Sequence, residues 1–189
     1  MITPICTKHL SDRQRYEILE GLLYQADWSQ NCLPMDWLSQ TDFFEAPASA
    51  HHHGSYAGGL FDHCMNMTMV LIDLSEKEVV EPWQRIASPV IIGILHDATK
   101  LFTYTLGDDG RYHNDRYYSE DYNHGLDSLI RVREHMSLTD EEAACIQYHM
   151  GAYDTNHWQD LTDAMRKFPN VLWTHTADMV ASQLMEEQG

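Results

Sequence analysis

Apolar positions along this chain recur mainly with the period of an α-helix. After residues 11–14 (SDRQ), a sequence typical of a capping box, apolar side chains return every three or four positions and predict an amphipathic helix over about residues 12–27. The same spacing predicts further helices, in chain order at about 34–44, 60–74, 82–96 with an interruption at 88–89, 124–135, 139–150, 161–167 and 170–186. Helical segments far outnumber the candidate strands, so we expect an all-α fold.

One stretch departs from the helical pattern. Residues 102–106 (FTYTL) and 111–114 (RYHN) flank residues 107–110 (GDDG), which have the composition of a turn. This arrangement predicts two short strands within about residues 102–118, forming either a small β-hairpin or an ordered loop.

Length and composition indicate a single globular domain. The chain has 189 residues, of which 43% are hydrophobic and 22% are charged, as is ordinary for a soluble protein. The four cysteines lie far apart and form no C-x-x-C pair, which is typical of buried thiols in a reducing compartment. No apolar run has the character of a signal peptide or reaches the ~18 residues of a membrane span. We therefore expect a cytoplasmic protein without a membrane partner.

Net charge and histidine content narrow the range of functions. A net charge of −17 would repel long nucleic acids, and the sequence contains nothing that resembles a basic stripe. The twelve histidines stand out in the composition, because histidine is the commonest protein ligand of transition metals and also a general acid or base. Bound divalent cations would offset part of the negative charge.

The most informative stretch is residues 91–100 (IIGILHDATK). Its apolar residues cover most of a helix circumference, as in a helix buried on all sides, and the run ends abruptly in His96 and Asp97, followed by Lys100. Charged groups are rarely buried unless they are paired or bound to a metal. The alternative interpretation is a helix that simply ends and exposes its polar terminus.

Other metal-capable side chains occur at comparable places. The full candidate set is His63, His96, Asp97, His124, His149 and Asp178. The histidines lie near predicted helix ends, whereas Asp178 lies inside an apolar helix, where an isolated carboxylate is costly and calls for a cation partner. Mixed imidazole and carboxylate ligands favour Zn, Mn, Fe, Ni or Co over Ca.

Five short segments resemble, in this order, the motifs of the HD superfamily of metal-dependent phosphohydrolases, which has an all-α fold. They are residues 59–63 (GLFDH), 95–100 (LHDATK), 123–125 (NHG), 148–149 (YH) and 177–178 (AD). Residues 43–60 also look like the region before the first ligand in bacterial and phage members, including the HD domains of certain bacterial 3′–5′ exoribonucleases. The resemblance covers about residues 40–185 as an HD core and leaves residues 1–35 as an N-terminal helical extension. Ala98 and Thr99 depart from the usual motif without affecting a ligand.

The resemblance implies a role for each matched residue. The residues that it implies for the basic metal set are His63, His96, Asp97 and Asp178. Asp97 would be able to bridge two ions, and His124 and His149 would either bind the second ion or face the substrate phosphate. Lys100 would neutralise phosphate charge or pair with Asp97. The implied cofactor is one or two divalent ions of Mn, Fe, Ni, Co or Zn, with Mg as a further option.

Other residues near these motifs have less specific roles. His53 is expected to contact substrate or to support the ligands, unless it is a surface histidine, and Tyr148 lines the pocket or merely packs as an aromatic ring. His175, one helical turn before Asp178, is expected to be a core histidine or to support the ligands. The histidines expected at the surface are His9, His51, His52, His113, His135 and His157.

These features lead to a functional hypothesis. A metal-activated water would attack a phosphate ester, and His124, His149 or Lys100 would protonate or stabilise the leaving group, so no Ser or Cys nucleophile is required. The expected partner is a small phosphorylated substrate, with a nucleotide as the leading example. The alternatives are a phosphodiesterase or 3′–5′ exonuclease acting on short oligonucleotides or cyclic nucleotides, and a non-catalytic metal-binding regulatory module.

Overall fold

The computed structural model describes residues 2–25, 32–114, 122–153 and 158–185. Within these ranges the chain forms eight α-helices and one two-stranded hairpin, which confirms the predicted all-α fold with a small β-hairpin. The helices are α1 (Asp12–Gln25), α2 (Met35–Leu38), α3 (Gly59–Glu76), α4 (Ser88–Leu95), α5 (His124–Arg133), α6 (Asp140–Gln147), α7 (Trp158–Lys167) and α8 (Asn170–Val180). The shorter helical turns are 3₁₀ at Ala98–Lys100 and Gly151–Tyr153 and π-helical at Ala181–Met185.

The hairpin pairs β1 (Tyr104–Leu106) with β2 (Tyr112–Asn114) in antiparallel register. Its turn contains Gly110, whose φ of +73° lies in the left-handed region that glycine adopts without strain. The two strands therefore lie where the sequence predicts them, while residues 115–118 of the predicted segment lie outside the described residues.

Capping boxes form at the starts of α1 and α6, the first of them at the residues 11–14 for which the sequence predicts one. The Ser11 N–H donates to the Gln14 side chain at 2.9 Å, and the Gln14 N–H donates back to the Ser11 hydroxyl at 3.4 Å. Thr139 and Glu142 exchange the equivalent bonds at 2.8 and 3.1 Å. These bonds satisfy backbone donors at the starts of α1 and α6 that have no partner within the helix.

The predicted start of the fourth helix at Pro82 is wrong, because α4 begins only at Ser88. The preceding residues are held by side chains of other helices instead of by a helical ladder. The Trp83 indole N–H donates to the Ser75 hydroxyl at 2.9 Å, and the Arg85 guanidinium donates from Nε to Glu142 at 2.9 Å.

Two later helix boundaries also differ from the prediction. α7 begins at Trp158, earlier than the predicted residue 161. α8 is regular only as far as Val180 and continues as a π-helical turn, and Glu186, the predicted end, lies outside the described residues. Neither difference alters the position of Asp178 within a helix.

α4 forms the centre of the bundle. All of its residues are buried, which confirms the prediction of a helix buried on all sides. It packs along α3, where Gly93 approaches Thr68 so closely that a Cβ at Gly93 would lie 2.2 Å from the threonine hydroxyl oxygen. One apolar cluster joins α4 to α1, α2 and the start of α3, and a second joins it to α7, α8 and the later part of α3. Every helix in the described ranges is too short or too polar for a membrane crossing.

The described part of the N-terminal segment is hydrogen-bonded into the same bundle. Asp62, in the first turn of α3, accepts from the backbone N–H and the hydroxyl of Thr7 at 2.7 and 2.6 Å. Arg15 is only 2% exposed and donates to the carbonyl oxygens of Phe44 and Ala57 at 2.8 and 2.9 Å. The residues before α3 thus support the helix that carries the first predicted ligand.

The cysteines are all free thiols. Cys32, Cys64 and Cys145 are buried as predicted, and burial raises the pKa of Cys145 to about 12. Cys6 is exposed, so the prediction of a buried thiol is wrong there, because the N-terminal segment lies on the outside of α3.

Candidate metal centre

The candidate ligands meet at one place in the fold, although each element contributes only one or two of them. The candidate ligands form three overlapping groups of three residues. Within each group, one ligand atom from each residue lies within 4.8 Å of the other two. These groups are His63 with His96 and Asp97, His96 with His149 and Asp178, and Asp97 with His124 and His149. The structure therefore contains a buried cluster of histidine and aspartate side chains that could hold a metal ion.

Close backbone packing at helix ends brings these side chains together. α5 begins directly against the end of α6 because Gly125 has no side chain: a Cβ there would lie 2.0 Å from the carbonyl oxygen of Gln147. This approach places the rings of His124 and His149 with their centroids 5.2 Å apart.

Four ligand atoms face one another at nearly equal separations. His63 Nε2 lies 3.1 Å from His96 Nε2, 3.4 Å from Asp97 Oδ2 and 3.2 Å from Asp178 Oδ1. His96 Nε2 lies 3.4 Å from the same Oδ2 of Asp97. Neighbouring ligands bound at about 2.1 Å to one ion are about 3.0 Å apart in octahedral and about 3.4 Å apart in tetrahedral geometry. The observed separations fall within this range.

Carbonyl groups at helix ends fix the tautomers of two histidines. His96 Nδ1 lies 3.0 Å from the carbonyl oxygen of Gly93, and His149 Nδ1 lies 2.7 Å from that of Ile146. A carbonyl oxygen only accepts, so Nδ1 carries the proton in both rings and Nε2 of each neutral ring presents a lone pair to the cluster. In this tautomer the Nε2 atom can bind a metal ion, while the hydrogen bond from Nδ1 holds the ring in place.

The Nε2 atom of His149 is buried without a hydrogen-bond partner. The nearest Asp97 oxygen, Oδ1, lies 3.6 Å away and is also an acceptor, so no proton satisfies either atom along this contact. A buried polar atom left in this state costs about 1–3 kcal/mol. A cation in the cluster would satisfy it, so the residues present fit a bound metal ion.

His124 has the opposite tautomer. Its Nδ1 lies 2.8 Å from the Tyr122 hydroxyl and 3.0 Å from the Thr99 hydroxyl, both of which can donate to it. Its Nε2 lies 2.6 Å from Asp97 Oδ1, which only accepts, so Nε2 carries the proton. The sequence does not predict these two neighbours of the cluster, Thr99 and Tyr122, since Thr99 stands out there only as a departure from the motif.

Lys100 and the two carboxylates set the charge of the cluster. The Lys100 ammonium lies 2.6 Å from Asp97 Oδ2. Burial raises the pKa of Asp97, but the neighbouring Lys100 ammonium leads the effects that hold that pKa well below the ordinary range. Burial lowers the pKa of Lys100, but Asp97 raises it to a net value above the ordinary one, so Lys100 stays charged. Burial likewise raises the pKa of Asp178, but the hydrogen bond from His63 leads the effects that together bring this pKa below the ordinary range.

One side of the cluster is open to solvent. The side chains of Lys100, His124 and Asp178 are 15%, 15% and 14% exposed. The floor is closed, because His63, His96, Asp97 and His149 are between 0% and 3% exposed. Lys100, His124 and Asp178 therefore form the solvent-accessible side of the cluster.

His53 and Tyr148 occupy different positions relative to the cluster. Gly59 approaches Gly54 so closely that a Cβ at Gly59 would lie 1.9 Å from the Gly54 carbonyl oxygen, and this packing holds the preceding loop against α3. The half-buried His53 ring lies 5.3 Å from the His63 ring, centroid to centroid. Tyr148 packs against the second apolar cluster, and burial followed by the nearby Asp160 raises its pKa. Substrate contact by either residue stays a prediction.

The other histidines lie as the sequence predicts. His175 is half-buried and hydrogen-bonded to the main chain at His149, in agreement with a supporting role. The histidines found exposed are His9, His51, His52, His113 and His135. His157 lies outside the described residues.

Comparison with protein-family models, with curated proteins and with solved structures gave no match to this chain. The interpretation of the site therefore stands on its geometry and chemistry.

Proposed function

We propose that this protein is a metal-dependent phosphohydrolase whose ion is held by His63, His96, Asp97 and Asp178. The observation that carries the proposal is the set of separations of 3.1–3.4 Å between their facing ligand atoms, which fit the edges of one coordination sphere. The lone pair of His149 Nε2, which shares a group with His96 and Asp178, adds a further donor.

The donor set favours a transition metal. Imidazole nitrogens with carboxylate oxygens suit Mn, Fe, Co, Ni or Zn, whereas Ca prefers oxygen ligands alone. When bound, such an ion would lower the pKa of a water molecule toward ~7 and neutralise charge on a phosphoryl oxygen. These two effects are what hydrolysis of a phosphate ester needs, and the cluster contains no serine or cysteine nucleophile.

His124 is the group best placed to supply a proton. It carries its proton on Nε2 at the open side of the cluster, where a leaving oxygen of a substrate would lie. The hydroxyls of Tyr122 and Thr99 hold its Nδ1 and thereby maintain this tautomer. We assign His124 as the general acid: in its doubly protonated form it would give the Nε2 proton to the leaving oxygen and return to a neutral ring, with Nδ1–H donating to the hydroxyl of Tyr122 or Thr99.

Lys100 supplies positive charge at the mouth of the site. The whole chain has a net charge of −17, so an anionic substrate needs local compensation where it binds. The charged ammonium of Lys100 lies at the open side, beside Asp97, and would contact a phosphoryl oxygen of the bound ester.

The experiment that tests this function combines metal exchange with a substrate panel. Protein stripped with a chelator and reloaded with Mn²⁺ is assayed on a phosphomonoester, nucleoside monophosphates, a phosphodiester, cyclic nucleotides and short oligonucleotides. We expect activity on at least one of these classes, lost on chelation and restored by metal. Asp97→Asn should abolish it, because the change removes an anionic ligand from a buried cation site.

Asp109→Asn is the matched control, since Asp109 is an exposed hairpin carboxylate bonded to His113. It should keep both metal content and turnover. Turnover that survives chelation, or that survives Asp97→Asn, would contradict the proposal. Metal binding without hydrolysis of any phosphate ester would point to the regulatory module, and release of nucleoside monophosphates from oligonucleotides alone would point to the exonuclease.

A further inference from the structure

A contact between α8 and the turn that follows α6 links two of the proposed ligands. His175 lies on α8 one helical turn before Asp178. Its Nδ1 lies 2.7 Å from the main-chain carbonyl oxygen of His149, so Nδ1–H donates to that oxygen. One hydrogen bond therefore joins α8, which carries Asp178, to the main chain of His149.

The turn after α6 is shaped to receive the His175 ring. Gly151 has a φ of +58°, in the left-handed region that favours glycine. A Cβ at Gly151 would lie 2.9 Å from both Cε1 and Nε2 of His175 and 3.0 Å from its Nδ1, so any side chain there would collide with the ring. The absence of a side chain at Gly151 therefore lets the His175 ring come close enough to donate its hydrogen bond to the His149 carbonyl oxygen.

His149 needs such support because it lies beyond the end of α6, which is Gln147. Its side chain is anchored to the Ile146 carbonyl, but its own carbonyl belongs to no helical ladder and is bonded by His175. Asp178 lies on the same side of α8 as His175, since residues three apart on a helix are neighbours. A shift of α8 against this turn would therefore change the separation of His149 and Asp178.

We propose that His175 is a positioning residue of the metal centre, which fixes His149 relative to Asp178 without binding the ion. The proposal rests on the function proposed above, because it concerns the affinity of the same ion. Residues that orient metal ligands typically change metal affinity by about 10–100-fold when they are replaced. The effect on affinity should exceed any effect on folding, because the hydrogen bond is half-buried at the edge of the bundle.

Three substitutions at this position separate orientation from packing. His175→Leu removes the donor and keeps much of the bulk, whereas His175→Asn places an amide N–H close to the position of Nδ1. His175→Gln moves that donor one bond further along and serves as a second loss variant if the leucine variant does not fold. The matched control is His135→Leu. His135 is exposed, its ring stacks on Trp37 with the centroids 4.2 Å apart, and it lies two residues after α5 ends, at the opposite end of that helix from His124.

The measurements are the Mn²⁺ dissociation constant of chelator-treated protein by titration calorimetry and the melting temperature of the metal-free protein. We expect the Leu and Gln variants to bind Mn²⁺ about 10–100-fold more weakly, with Asn and the His135 control within about threefold of wild type. Equal affinity of the Leu and wild-type proteins, or equal losses in Asn and Gln, would overturn the inference while leaving the metal centre intact. Wild-type protein that takes up no Mn²⁺ would overturn the centre itself and the inference with it.

Discussion

Replacing Lys100 with methionine separates the electrostatic role of this residue from a purely structural one. The Lys100 ammonium lies 2.6 Å from Asp97 Oδ2, and the Lys100 side chain is 15% exposed. The change to methionine therefore removes the positive charge beside a buried carboxylate and keeps most of the apolar part of the side chain. Removing one partner of a buried ion pair costs about 3–5 kcal/mol. For a chain of this length, such a loss lowers the melting temperature of the metal-free protein by about 6–20 °C.

A bound ion changes the expected result. With Mn²⁺ at saturation, the cation compensates Asp97 in place of the ammonium, and the melting temperature should return to within a few degrees of wild type. Turnover should nevertheless remain ~10²-fold low, which is the scale for removing one charge-stabilising group from a transition state. Scanning fluorimetry with and without Mn²⁺, together with kcat on the preferred phosphate ester, measures both quantities.

The two roles of Lys100 give opposite outcomes. Wild-type turnover in the metal-saturated variant would refute the role in charge stabilisation and leave Lys100 as a tether for Asp97. Lys100→Arg keeps the charge and should recover part of the turnover, because a guanidinium can also contact a phosphoryl oxygen.

Three further predictions concern the fold. Gly93→Ala should lower the free energy of unfolding, measured by urea titration, by about 1–3 kcal/mol, because the new methyl group would overlap α3. Gly21→Ala is the control: the helix has open space there, so the free energy of unfolding should rise by up to ~1 kcal/mol. Arg15→Met should lower the free energy of unfolding by at least about 2 kcal/mol, because it leaves buried carbonyl groups without a hydrogen bond. The same change at the exposed Arg13 should alter the free energy of unfolding by less than about 0.5 kcal/mol. Burial raises the pKa of Glu142, but the hydrogen bond from the Arg85 guanidinium leads the effects that bring this pKa below the ordinary 4.5. The stabilising contribution of Glu142 is therefore complete above about pH 4.5 and is lost as pH falls through the lower folded-state pKa. Glu142→Gln should therefore flatten the pH dependence of the free energy of unfolding below about pH 4.5.

The parts of the fold that the sequence predicts well are those decided by local chemistry. The capping box at Thr139 sets the start of α6 through bonds between residues three apart, which a linear pattern contains in full. The apolar run before His96 predicts a helix buried on all sides, and the structure buries every residue of α4.

Tertiary contacts decide what the linear pattern does not contain. Residues 82–87 have the composition of a helix start, yet the bond from Trp83 to Ser75 and the bond from Arg85 to Glu142 hold them outside a helical ladder. The side-chain pattern of Pro82 and its neighbours gives no sign of these partners, because they lie on other helices.

The same division applies to the metal centre. The set of candidate ligands is recoverable from the sequence, because histidines at helix ends and an aspartate in an apolar helix are unusual. Their protonation pattern is not: His96 and His149 each donate from Nδ1 to a carbonyl three residues earlier, and His124 is held in the other tautomer by hydroxyls. The bond from His175 to His149 joins segments 26 residues apart, so only the packing of α8 reveals it.

The position of a bound ion tests the proposed metal centre most directly. Crystals grown with Mn²⁺ would be measured near the manganese absorption edge, and an anomalous difference map would locate the metal. We expect a peak about 2.0–2.2 Å from the facing ligand atoms of His63, His96, Asp97 and Asp178. No peak at saturating Mn²⁺, with the 3.1 Å hydrogen bond between His63 and His96 intact, or a peak bound elsewhere in the molecule, would contradict it.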